Sequence, residues 1–126
     1  MIAEVRASLL EKYTVENNSR EHSWISDEPT DVGGDDIGPK PTELFLSSLA
    51  SCKLITLRMY AQRKEWDLQD ARIYLAVLER GEKVVIQKSI EFEGDLDEKQ
   101  KARLLDISGR CPVAKMLSGS IEYKIV

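Results

Sequence analysis

Apolar and polar residues alternate through Ala3, Val5, Ala7 and Leu9, and Tyr13 and Val15 continue that spacing, the period-two signature of half-buried strands. The Asn17-Asn18-Ser19 run predicts a turn, after which Trp24 and Ile25 resume an extended segment. Between Asp27 and Pro41, Asp, Gly and Pro crowd around Gly33, Gly34 and Gly38, which predicts a loop. From Thr42 to about Trp66 the chain has no Gly or Pro, and Pro41 suits the opening of a helix because a first-turn residue needs no amide hydrogen. Leu44, Phe45, Leu49, Ala50, Leu54, Ile55, Leu57 and Tyr60 spread beyond one narrow stripe, so the first half of this long helix is expected to be enclosed on most sides. Arg58, Gln62, Arg63 and Lys64 mark the half that emerges into solvent.

The period of two returns in Ile73, Leu75 and Val77 and again in Val84, Ile86, Ile90 and Phe92, on either side of Arg80-Gly81-Glu82-Lys83, predicting an antiparallel hairpin. Asp97 reads as a helix N-cap with Gln100 as its box partner, Leu104, Leu105 and Ile107 as the buried face, and Gly109 as the stop. Pro112 can open a further short helix with Cys111 at its N-cap, and Ile121, Tyr123 and Ile125 alternate as a closing strand. Strands and helices are segregated along the chain, which favours an α+β domain over a doubly wound parallel sheet.

Composition sharpens this picture. A chain of 126 residues with 42% hydrophobic and 32% charged residues suits one compact soluble domain, residues 1–126, and is too apolar for disorder. The net charge is −4 and no basic cluster is present, which argues against nucleic acid as a partner. The most apolar stretch, Leu44 to Leu57, is broken by Ser47, Ser48, Ser51, Cys52 and Lys53 and is too short to span a membrane. Without a signal-like N-terminus, a cytoplasmic protein with reduced thiols is expected.

The candidate chemistry lies in two cysteines, Cys52 and Cys111. With no CxxC motif and one histidine, His22 among polar neighbours, a structural zinc site is not expected, and a thiol-based reaction would need no metal or organic cofactor. Cys52 lies mid-helix in Leu49-Ala50-Ser51-Cys52, where a thiolate nucleophile and a small buried hydrophobe are both open readings. As a nucleophile it needs a nearby cation, because a mid-helix position gains little from the helix dipole. Cys111, beside unsatisfied helix-start amides, reads equally as a resolving thiol or as a packed residue. Trp24 and Trp66 read as core or interface anchors.

The run Gly33-Gly34-Asp35-Asp36-Ile37-Gly38-Pro39-Lys40-Pro41-Thr42-Glu43-Leu44-Phe45-Leu46, continued by Leu49-Ala50-Ser51-Cys52, resembles the loop and helix of the OsmC/Ohr superfamily. Tyr60-Ala61-Gln62-Arg63-Lys64, Phe92-Glu93-Gly94-Asp95-Leu96 and Arg110-Cys111-Pro112-Val113-Ala114-Lys115-Met116-Leu117 follow in that superfamily's order. The resemblance implies an intertwined homodimer with antiparallel sheets packed on long central helices. It also implies thiol-dependent reduction of small organic hydroperoxides, with Cys52 as the peroxidatic thiol, Cys111 as the resolving thiol and a dithiol as reductant. By position, Arg20 matches the arginine that stabilises the thiolate in peroxidase members, with Arg6 and Arg58 as alternatives. The family's first-turn glutamate is replaced by Thr42, with Glu43 one residue later and turned by about 100° around the helix. That departure motivates a second expectation, a non-catalytic dimer whose apolar cavity around Cys52 holds a small hydrophobic ligand.

Overall fold

The computed structural model describes residues 1–126, and they form two compact units, Met1–Phe45 and Leu46–Val126. The first unit is a three-stranded antiparallel sheet of β1 (Arg6–Leu9), β2 (Val15–Ser19) and β3 (His22–Ser26) followed by a loop with one 3-10 turn at Thr30–Val32. The expected turn at Asn17-Asn18-Ser19 is instead strand. Asn17 pairs with Trp24 in the ladder, and its side-chain amide donates to the Ser26 hydroxyl at 3.0 Å, so the asparagine serves the sheet. The reversal falls at Arg20 and Glu21, between the paired Ser19 and His22, with Arg20 in the left-handed region at φ 54°.

The Asp/Gly/Pro segment is ordered around one carboxylate. Asp27 is 1% exposed and accepts hydrogen bonds from the Thr14 hydroxyl at 3.2 Å, the Glu28 amide at 2.8 Å and the Ile37 amide at 3.3 Å. Its own amide donates to the Pro39 carbonyl at 3.1 Å, so both ends of the loop close on one residue. The fold-back is tight enough to require glycine at Gly34, where a Cβ would lie 1.9 Å from the Glu28 carbonyl oxygen. Burial pushes the Asp27 pKa up, but the amides of Glu28 and Ile37, the Thr14 hydroxyl and the Asp35 backbone outweigh it and hold the carboxyl below its ordinary value. The loop delivers the chain into α1 (Pro41–Lys64), where the Lys40 amide donates to the Glu43 carboxylate at 2.9 Å and satisfies the helix start.

The second unit contains the rest of α1, the hairpin of β4 (Asp70–Arg80) and β5 (Val84–Glu93), α2 (Glu98–Ser108) and α3 (Pro112–Ser118). The hairpin turns where the sequence pattern places it, with Ile73 opposite Ile90 and Val77 opposite Ile86. Asp97 and Gln100 form the expected capping box, at 2.7 and 2.9 Å. The core gathers Leu57, Tyr60 and Ala61 of α1, Leu68, Leu96, and Leu104 and Ile107 of α2, with Trp66, Ala71 and Phe92 packed against it. Trp66 is therefore a core residue, as expected, although it lies past the helix end. Glu65 takes φ 57° and the Trp66 amide turns back to the Ala61 carbonyl at 2.9 Å, which stops α1 at Lys64.

Other expectations are corrected. On α2, Leu104 and Ile107 are buried as expected, but Leu105 is exposed. The first half of α1 is not enclosed within the chain: Leu49 is its one buried residue, and the helix's single buried face continues through Lys53, Leu57, Tyr60 and Ala61 in the second half, which was expected to emerge into solvent. Ile121, Tyr123 and Ile125 form no strand, since residues 119–126 pair with no sheet edge and these three side chains are exposed.

Asp27 carries a pH prediction. Its folded pKa lies below the unfolded value of about 3.9, so its contribution is complete above that value and is lost as pH falls through the folded pKa. In urea unfolding followed against pH, wild type should show a steeper acid decline than Asp27→Asn; parallel declines would remove Asp27 as the organiser of the loop.

Candidate functional site

The geometry around the two thiols starts from the end of α2. A helix leaves its last carbonyls without intrahelical partners, and here each of them is met. The Ser108 hydroxyl donates to the Leu105 carbonyl at 2.6 Å, the Gly109 amide to Asp106 at 3.2 Å and the Arg110 amide to Ile107 at 2.9 Å. The Ser108 carbonyl is met from outside α2, by the Lys53 ammonium of α1 at 3.0 Å. Ser108 is fully buried and Lys53 is 8% exposed, so the bond is shielded from water and the cation sits at the negative end of the α2 dipole.

This bond joins the two cysteine-bearing segments. Cys52 directly precedes Lys53, and Cys111 follows Ser108 by three residues. Cys111 is the N-cap of α3 and is completely buried, but its thiol makes no capping hydrogen bond; its carbonyl accepts from the Lys115 amide instead. Cys52 is half-buried, and both cysteines carry free thiols. Ser48, Cys52, Ile55 and Met59 follow one another at helical spacing, and Ile55 and Met59 are 54% and 64% exposed. Cys52 therefore borders an apolar stripe that its own chain leaves uncovered.

A second tie holds α2 to α1. The Arg103 guanidinium donates to the Tyr60 hydroxyl at 3.0 Å and to the Asp106 carboxylate at 2.7 Å, and Asp106 also receives Arg110 at 2.8 Å, the residue before Cys111. The hydrogen bond from Arg103 is the main influence lowering the Tyr60 pKa, against burial that raises it, with the charges of Arg103, Lys64 and Arg63 adding to the fall.

Three arginines were expected as candidate cations for Cys52. Arg58 holds the carbonyls of Leu68 and Gln69, and Arg6 pairs with Glu4 at 3.6 Å. Arg20 is exposed at the β2–β3 reversal, and its side chain has no such commitment. Glu43 is taken up by the start of α1 and Thr42 is half-buried in its first turn, so the helix start directs no free carboxylate through Glu43. His22 is exposed at the head of β3. The sequence suggests no functional role for Lys53, Ser108 or Tyr60. Lys53 could have been found, because it stands four residues from both Leu49 and Leu57 on the apolar face, where a charge needs a partner.

Comparison with known proteins agrees with this architecture. The family model described as OsmC-like protein matches residues 33–126, a span that includes both cysteines and begins after Arg20. This chain belongs to the OsmC-like family. It is similar in structure to a Psychrobacter arcticus 273-4 protein named for osmotic stress induction and detoxification response, with 23% identity, TM-score 0.78, and coverage of 89% of this chain and 85% of that one. An OsmC-like protein from Mycoplasma pneumoniae aligns with 21% identity, TM-score 0.77, and coverage of 94% and 89%. The organic hydroperoxide resistance protein OhrB of Bacillus subtilis aligns with 20% identity, TM-score 0.66, and coverage of 94% and 92%. These likenesses establish the α+β fold. No curated protein matches by sequence. No helix is long and apolar enough to cross a membrane.

The Tyr60 environment gives a direct check. Arg103→Ala should raise the Tyr60 phenol pKa toward the ordinary value of about 10 in an ultraviolet titration. An unchanged titration would mean that Arg103 does not hold the hydroxyl in solution.

Proposed function

We propose that this protein is a thiol-dependent peroxidase acting on small organic hydroperoxides, with Cys52 as the peroxidatic and Cys111 as the resolving thiol. The observation that carries the reading is the buried Lys53–Ser108 bond, which draws together the segments bearing the chain's two cysteines, both inside the span matched by the family model. Cys52 thiolate attacks one peroxide oxygen, the O–O bond breaks, and the alkoxide leaves as the alcohol after taking a proton. The resulting Cys52 sulfenic acid condenses with the Cys111 thiol, releasing water and forming a disulfide that a dithiol reopens by exchange. No metal or organic cofactor takes part. Arg20 supplies the cation for the thiolate, a role supported by its exposed position at the β2–β3 reversal and by the commitment of Arg58 to the Leu68 and Gln69 carbonyls. Residues 1–126 function as one domain, in the cytoplasm, where thiols are kept reduced.

The working form is a homodimer. One chain exposes 9672 Å², whereas separate globular bodies of the size of its two units would together expose about 8,100 Å² even without touching. Much of the excess is apolar, including Ile55 and Met59 beside Cys52 and the alternating Ile121, Tyr123 and Ile125. A second copy covers these side chains and buries well over ~2,000 Å² in total, the range of obligate homodimers.

The test is turnover of an alkyl hydroperoxide with a dithiol donor. Cys52→Ser should abolish it, and Cys111→Ser should retain a first turnover while losing steady-state cycling. Arg20→Ala should slow the reaction and the pH-dependent alkylation of Cys52 by about tenfold or more, with Arg20→Lys retaining less activity than its charge would suggest. Superimposable alkylation profiles would exclude Arg20. A folded dimer without turnover would favour the alternative of a non-catalytic protein that binds a small hydrophobic ligand, and a monomer in sedimentation at micromolar concentration would exclude the dimer.

A further inference from the structure

Resting on the peroxidase reading, we propose that Lys53 is a positioning residue that sets the reach between Cys52 and Cys111. It is a buried cation whose ammonium makes a hydrogen bond to a backbone carbonyl, with no acidic side chain bonded to it. A buried ammonium is costly to desolvate, yet the chain places one in the helix turn of Cys52 and directs it at the last residue of α2. Ser108 is separated from Cys111 by Gly109 and Arg110, and three residues of chain span at most about 10 Å. Fixing the Ser108 carbonyl to α1 therefore confines Cys111 to a small volume relative to the helix that carries Cys52.

The other side of the same turn is tied by the Asp106 bridge between Arg103 and Arg110, and Arg103 itself is bonded to Tyr60 of α1. That second tie combines a half-buried bond from Arg103 to Tyr60 with ion pairs between exposed groups, which hold weakly in water. Lys53 supplies the shielded one. Without it the Ser108 carbonyl has lost its partner, α2 can shift along α1, and the Ser108–Cys111 turn samples positions from which the resolving thiol does not reach Cys52. The sulfenic acid then waits longer for Cys111 and is exposed to further oxidation.

Disulfide formation can be read without any peroxide. Reduced wild type and Lys53→Met are equilibrated with mixtures of glutathione and glutathione disulfide, in which exchange oxidises the cysteine pair while one glutathione disulfide becomes two glutathiones. The Cys52–Cys111 disulfide is quantified by mass after acid quenching. Lys53→Met should lower the effective concentration of the thiol pair by about tenfold or more, and Lys53→Arg, which keeps a cationic donor, should recover most of it. Lys53→Gln, a neutral donor on a shorter chain, should fall on the side of Lys53→Met and serves if the methionine variant does not fold. An equilibrium in both neutral variants within about twofold of wild type, or no Cys52–Cys111 disulfide in wild type at any glutathione ratio, would overturn the proposal. Loss of the peroxidase reading alone would show differently, as a normal disulfide equilibrium without hydroperoxide turnover.

Discussion

The end of α2 leaves one buried carbonyl, that of Ser108, which α2 itself does not satisfy, and the ammonium of Lys53 reaches it from α1. Each group would be unfavourable alone. A buried carbonyl without a partner costs about 1–3 kcal/mol, and a buried ammonium costs more. Paired, they fix the register of α2 against α1 more strictly than Leu57, Leu104 and Ile107 can, because apolar contacts tolerate small slides and a charge-assisted hydrogen bond does not. The position of Cys111 depends on that register, because it follows the tied turn and is the point from which α3 starts.

The first unit meets a similar constraint with a carboxylate. Asp27 draws the amides of Glu28 and Ile37 and the Thr14 hydroxyl to one buried point, and the loop closes tightly enough to exclude any side chain at Gly34. That closure sets where α1 begins, and Glu43 then satisfies the amide of Lys40. Glu43 is thus explained by helix capping.

Much of this was legible in the sequence because it depends on local rules. The β4–β5 hairpin, the Asp97–Gln100 box, the Pro41 start and the Cys111–Pro112 start follow from periodicity and capping, which act over a few residues. Asn17 and Asn18 misled because asparagine serves turns and sheet hydrogen bonds alike, and only the ladder partner distinguishes them. The tail alternation of Ile121, Tyr123 and Ile125 is a real strand pattern, but a strand exists only where its backbone pairs with an edge, and the tail pairs with neither open sheet. The cysteines were found by type and family resemblance, whereas Lys53 and Ser108 were missed because their pairing spans 55 positions and leaves no local trace beyond one lysine on an apolar face.

The central claim is that the two thiols work as a pair within one chain. The most direct measurement is peptide mapping of the reduced protein after one equivalent of an alkyl hydroperoxide, with free thiols blocked before digestion. The account predicts a single cross-linked species joining the Cys52 and Cys111 peptides of the same chain, lighter by two hydrogens, with no metal or added cofactor present. Thiols that remain free, or a disulfide found only between chains, would contradict it.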